Sequence, residues 1–224
     1  MANRAYLSIW CRNFTEEVQA ERLEQFLSTI PLSQTRTGFS DLLIRAVGPE
    51  ETPILESEGR RVFPDGAAVA ELVAEHLNAD SAYEVRAYWD LWVFDPAKGE
   101  WQLRPEPLEI RMYGELYDDG AWREYGQLHA DLGLEHLFTG HARLLGLGAP
   151  DSVKTDDPEE ARFFALMEAR DNFRTYHERT RQNITKLLDW VQRIERALPV
   201  ERLKLWSEGE ENFESRIEEI LAVR

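Results

Sequence analysis

Residues 83 to 94, YEVRAYWDLWVF, alternate without interruption, and this constrains the fold more than any other stretch. Tyr83, Val85, Ala87, Trp89, Leu91 and Val93 fall on one side of an extended chain, and Glu84, Arg86, Tyr88, Asp90, Trp92 and Phe94 on the other. A period of two over twelve residues specifies a long strand with one face in a core. DPAKGE is a turn, and WQLRPEPLEIRMYGELY continues as a second strand, so a long hairpin is expected. Pro105 and Pro107 have no N–H for a ladder, which places that segment at an edge or a bulge.

A third strand is expected within WREYGQLHADLGL after the turn at DDG. If Leu108, Ile110 and Met112 share a core side with Leu128, Ala130, Leu132 and Leu134, Met112 must lie opposite Leu128 and Ile110 opposite Ala130. His129 then faces Arg111, and Asp131 faces Glu109, on the other side of the sheet.

Before the hairpin, AYLSIWC alternates as a strand and FSDLLIRAV and TPILES are short strand candidates. Asn13 with Glu16 resembles a capping box, followed by an apolar helical face of Val18, Leu23, Phe26, Leu27 and Ile30. A second helix follows Asp65, with Val69, Leu72, Val73, His76 and Leu77 along one stripe. The order strand, helix, strand, strand, helix, strand is that of a ferredoxin-like βαββαβ unit. The expected fold is α+β: a ferredoxin-like start extended into a larger, mainly antiparallel sheet over residues 1–150.

From 157 onward the pattern becomes helical. Asp157 as N-cap, Pro158 at the first helical position and Glu159 and Glu160 in the first turn mark a helix start. No breaker appears until Pro199, so one helix of about 40 residues is expected, roughly 60 Å long. Phe173, Thr180, Leu187 and Ile194 recur every seven residues, as do His177, Ile184 and Val191, a coiled-coil-like seam. Leu203, Trp206, Phe213, Ile217 and Ile220 suggest a shorter helix folding back. Residues 157–224 therefore read as a long-helix hairpin whose seam residues, from Phe173 to Ile194, serve as the interface of a homodimer or with a protein partner.

Composition narrows the functions. The 224 residues include 42 acidic and 26 basic side chains, a formal charge of −16, with most of the excess before Asp156. Such acidity disfavours nucleic acid and anionic membranes as partners. The acids are scattered among arginines, so they do not form the regular file a nucleic-acid mimic needs. Cys11 is the single cysteine, which excludes an internal disulfide and multi-cysteine zinc sites and points to a cytoplasmic, reducing location. The apolar run at the N-terminus spans about six residues, too short for a signal core, and no stretch reaches the roughly 18 apolar residues of a span.

No GxSxG, HExxH, Walker or EF-hand pattern occurs, so no catalytic residue and no cofactor is assigned. His129 and Asp131, two apart on a strand, share a face and with Glu109 could ligate a divalent metal. Tyr88, Trp92, Arg111 and Tyr113 join His129 and Asp131 as the lining of a possible groove between sheet and helices. His136 and His141, five apart, fall on different sides of a helix and would not act together there. Two functions follow: non-enzymatic assembly or partner binding through the C-terminal helices, or small-molecule or metal binding, with possible hydrolysis, at the polar sheet face.

Overall fold

The computed structural model describes residues 3–57, 62–95, 98–141, 144–145 and 158–223. Its strands are β1 (Arg4–Cys11), β2 (Ser40–Ala46), β3 (Leu55–Glu56), β4 (Ser81–Asp95), β5 (Glu100–Tyr113), β6 (Leu128–Leu134) and β7 (Val200–Ser207). The helices are α1 (Glu16–Thr29), α2 (Gly66–Ala74), α3 (Trp122–Tyr125), α4 (His136–Thr139), α5 (Pro158–Met167), α6 (Arg170–Ala197) and α7 (Phe213–Ala222). The strands form one sheet in the order β3-β2-β4-β5-β6-β1-β7.

The hairpin and its register are as expected. β4 and β5 pair from Ala82 with Tyr113 to Asp95 with Glu100. Met112 lies opposite Leu128, Ile110 opposite Ala130, Arg111 opposite His129 and Glu109 opposite Asp131. The side chains named for the core face are buried except Leu134, which is half-buried; Ala87, Trp89, Leu91, Leu108, Ile110, Met112, Leu128, Ala130 and Leu132 are completely so. WREY, read as part of the third strand, is instead the single turn α3, and β6 starts at Leu128. α1 begins after Thr15 rather than Asn13, whose φ of +53° takes it out of a capping geometry.

The ferredoxin-like start is not formed, although its element order is. In a split βαβ unit the two strands joined by the first helix flank one shared intervening strand, whereas here β1 pairs with β6 and β7 and β2 pairs with β3 and β4. β1 sits between β6 and β7, far from β4. The C-terminal helix hairpin is not formed either. Ala169, with ψ of 119°, leaves the helical region and separates α5 from α6. Asn172 Nδ2 donates to the Leu166 carbonyl across the break, and Phe163 returns to Tyr176 with ring centroids 5.4 Å apart. The proposed cap Asp157 lies outside the described residues. After Pro199 the chain extends as β7, pairing Leu203 with Ile9 and Leu205 with Leu7, before α7. Elements from both halves of the chain thus share one sheet and one core.

The seam turns inward. Thr180, Ile184, Leu187 and Ile194 are buried in this chain's own core, His177 and Val191 are half-buried, and Phe173 is exposed. A fully buried aliphatic side chain contributes about 1.5–3 kcal/mol, and Ile184, Leu187 and Ile194 obtain that contact from their own sheet and helices. The residues expected to meet a partner are therefore mostly covered already. Trp190, also fully buried, packs against Phe26 and Trp89 and donates from Nε1 to Thr29 Oγ1 at 2.9 Å.

α6 also closes a gap in the sheet. β2 pairs with β4 only as far as Arg86, and beyond it that edge of β4 has a single bridge, Trp89 with Leu32, before it reaches the helix. The Tyr88 carbonyl accepts from Ser33 N–H, the Asp90 carbonyl from Lys186 Nζ, and the Trp92 N–H donates to Asn183 Oδ1 at 2.9 Å. Asn183 Nδ2 donates in turn to the carbonyls of Trp92 and Leu137, at 2.9 and 3.0 Å. On the opposite edge, β6 pairing stops at Glu109, so Pro105 and Pro107 forfeit no bond. Replacing Asn183 with Ala strands backbone groups of β4 and α4 in a buried setting, and about 3 kcal/mol of stability should be lost. Urea unfolding that shows a lower midpoint at an unchanged slope is the expected outcome.

Candidate functional site

The polar sheet face brings Glu109, Arg111, His129 and Asp131 together, yet it satisfies them internally. Asp131 Oδ2 receives Arg4 Nε at 2.6 Å and its Oδ1 accepts from Gly133 N–H. Glu109 meets Arg86 at 3.3 Å and Arg111 at 3.7 Å, while Arg111 Nε donates to Glu84 at 2.9 Å. Among the described residues no group of three His, Cys, Asp or Glu side chains is placed to hold a metal, which corrects the expectation for His129, Asp131 and Glu109. The ion pairs that consume these carboxylates are the physical reason.

His129 is only 3% exposed, and its ring lies among Tyr6, Tyr113, Tyr125 and Trp206. Burial, aided by the Arg111 charge, lowers its pKa to about 4 against the pull of the Tyr125 carbonyl. Its Nδ1 is 3.2 Å from Ser8 Oγ, a hydroxyl–imidazole pair of the kind used in nucleophilic catalysis. Ser8, however, is fully buried and accepts from Trp206 Nε1 at 3.0 Å, so no substrate reaches it. Cys11 is likewise buried, which pushes its thiol up to about 11 and leaves it a small hydrophobe.

Of the six groove residues, Arg111, Tyr113, His129 and Asp131 share this face, whereas Tyr88 and Trp92 lie apart from them. Tyr88 carries the Arg36 guanidinium 3.6 Å from its ring centre, and Tyr113 belongs to a small cluster with Ala82 and Tyr117. Trp92 alone among them lines a half-open, largely aromatic pocket. That space is a chamber of about 300 Å³ between the far end of the β4–β5 hairpin and the helices. Trp92, Phe94 and Trp101 come from the hairpin, His136 and Leu137 from α4, His141 from the turn after it, Glu160 and Phe163 from α5, and Tyr176, Thr180 and Asn183 from α6.

Four rings close a circuit around it. Phe94 meets Trp101 at 5.4 Å, Trp101 meets Tyr176 at 5.3 Å, Tyr176 meets Phe163 at 5.4 Å, and Phe163 returns to Phe94 at 5.4 Å. The two contacts of Phe163 are edge-to-face, at 68° and 72°, the favoured arrangement for aromatic pairs. His141 packs edge-on to Phe163, its Nε2 lies 2.9 Å from Glu160 Oε1, and its backbone N–H donates to the Tyr176 hydroxyl at 2.6 Å. Burial raises the Tyr176 pKa against the opposing pull of the His141 backbone N–H, so the phenol stays protonated.

His136 stands 5.9 Å from His141, ring to ring at 88°. Burial first, and His141 second, lower its pKa to about 4, so it is a neutral imidazole at pH 7. Within the described residues neither its ring nitrogens nor the Thr180 hydroxyl, 2% exposed, makes a hydrogen bond. Both are polar groups of the chamber wall left without a protein partner. No serine or cysteine lines the chamber among the described residues.

The spacing argument that separated His136 from His141 fails because α4 is one turn long. Gly140, at φ +77°, ends it, and a Cβ there would meet Leu145 at 2.8 Å, so the chain turns back sharply. That glycine was the available signal. Glu160 carried only the charge pattern of a helix start, and nothing local tied Phe94 to Phe163, 69 positions away in the chain.

Compared with known proteins, the chain matches no family model, no curated protein and no solved structure. Among the described residues no helix is long and apolar enough to cross a membrane.

His129 yields a pH prediction. Its pKa is lower folded than unfolded, so between about pH 6.5 and 4 the unfolded chain binds the extra proton and acidification favours unfolding. The loss is on the order of 3 kcal/mol across that window. His136, lowered to about 4 as well, adds an equal share, so denaturant titrations from pH 7 to 4 should show the combined slope and His129→Gln should remove about half of it.

Proposed function

We propose that this chain is a small-molecule binding protein, not an enzyme, and that the chamber between the hairpin and helices α4 to α6 holds the ligand. The observation that carries this reading is that the Thr180 hydroxyl and the His136 imidazole, neither hydrogen-bonded within the described residues, line an aromatic space of about 300 Å³. Both groups open onto the pocket, so an occupant can bond to them directly. A small, mostly apolar cavity with a few convergent polar groups is the usual form of a ligand site. The single buried thiol of Cys11 supports a reducing, cytoplasmic setting.

Partner binding through the long helix has less support, since its apolar stripe already packs inside the molecule. Thermal unfolding against a panel of one- and two-ring organic compounds tests the chamber. Compounds that fit should raise the melting temperature of the protein by several degrees, and Thr180→Leu, which removes the hydroxyl and fills space, should abolish the rise. A panel in which no compound stabilises the protein, or in which the variant responds equally, rejects the reading.

A further inference from the structure

The walls of the chamber also restrict the chemistry of its occupant, an argument that rests on the proposed ligand-binding function. We infer that the occupant is an uncharged one- or two-ring aromatic molecule carrying an amide-type edge, a donor beside an acceptor, which it presents to Thr180 and His136. Size comes from the volume, at the lower end of the range for small-molecule sites. Shape comes from the ring circuit of Phe94, Trp101, Tyr176 and Phe163, which offers edges and faces to a flat apolar body.

Charge is decided by what lines the space. No lysine or arginine does so among the described residues, and the one acid, Glu160, is engaged by His141 at 2.9 Å. An anion would therefore be buried beside a carboxylate with no cation to meet it. A cation would be drawn to the rings, but Trp92 already carries the Arg179 guanidinium 3.7 Å from its ring centre. A second positive charge on that ring is repelled by the first.

Polarity is decided by the two unbonded groups. A neutral imidazole offers one donor and one acceptor, and a hydroxyl can act as either. Asn183 spends its amide on Trp92 and Leu137, Glu160 is engaged by His141 and the Tyr176 hydroxyl takes the His141 N–H, which turns recognition to these two. An amide or lactam edge, donor next to acceptor, satisfies both at once.

Benzamide, benzoate and benzylammonium share size and shape and differ in charge, so calorimetric titration of the full chain with each at pH 7.5 separates the possibilities, with 2-quinolone as the two-ring probe. Benzamide or 2-quinolone should bind at least tenfold more tightly than either ion. Thr180→Val, nearly isosteric, should weaken the amide several-fold and leave the ions unchanged; His136→Gln, which keeps a donor and an acceptor on an outlying helical turn, should retain most of the affinity. If either ion binds as tightly as the amide, the chemical class is wrong while the chamber remains a ligand site. If none of the four probes binds, both the class and the ligand-binding function fall.

Discussion

The β4–β5 hairpin outruns the sheet that it belongs to, and the helical half of the molecule is arranged around that overhang. β2 accompanies β4 to Arg86 and β6 accompanies β5 to Glu109, leaving the rest of the hairpin without strand neighbours. A free edge of buried backbone is costly unless each group finds a partner. One edge has prolines where donors would otherwise point outward, and the other is bonded by side chains of α6, with Lys186 and Asn183 one helical turn apart serving Asp90 and Trp92. Asn183 reaches Leu137 as well, so the same amide fixes α4 beside the strand. The chamber is what remains between these anchored elements.

The parts of this fold written in short-range patterns were legible. Alternation over residues 83 to 94 and the shared parity of 108–112 with 128–134 define the hairpin and the β5–β6 register, because a slip by one residue would turn Ile110 and Leu128 out of the core. The C-terminal region was misread because its decisive contacts are remote. Phe163 and Tyr176 prefer to meet each other, which folds α5 back, and no proline or glycine announces the break at Ala169. VERLKLWS alternates clearly enough for a strand, yet Leu203 and Trp206 also fit a helical spacing; the unpaired side of β1, nearly 200 residues earlier, decides between them. The site was less legible still, since its rings come from four separate segments and only Gly140 hinted that His141 turns back.

The uncovered sheet face shows why a dense cluster of ionisable residues can be chemically quiet. Glu84, Arg86, Glu109 and Arg111 form a chain of half-exposed pairs, and Arg4 completes another with Asp131. Individually such pairs contribute little, about 0–1 kcal/mol. Collectively they leave no carboxylate poised for a metal or a proton transfer. The chamber wall, by contrast, presents a hydroxyl at Thr180 and a neutral imidazole at His136 among aromatic rings.

The position of β1 has a consequence for the order in which the molecule can assemble. Its neighbours are β6 and β7, so β1 leaves the ribosome well before the segments it joins, some 120 and 200 positions downstream. Until both have been synthesised, the apolar side of that strand, with Leu7 and Ile9, has no sheet to enter. Loop closure on this scale is slow, and exposed strand edges invite association with other chains. The newborn chain therefore passes through an interval in which its N-terminal strand must be shielded, by chaperones or by the early helix α1, before the sheet can close.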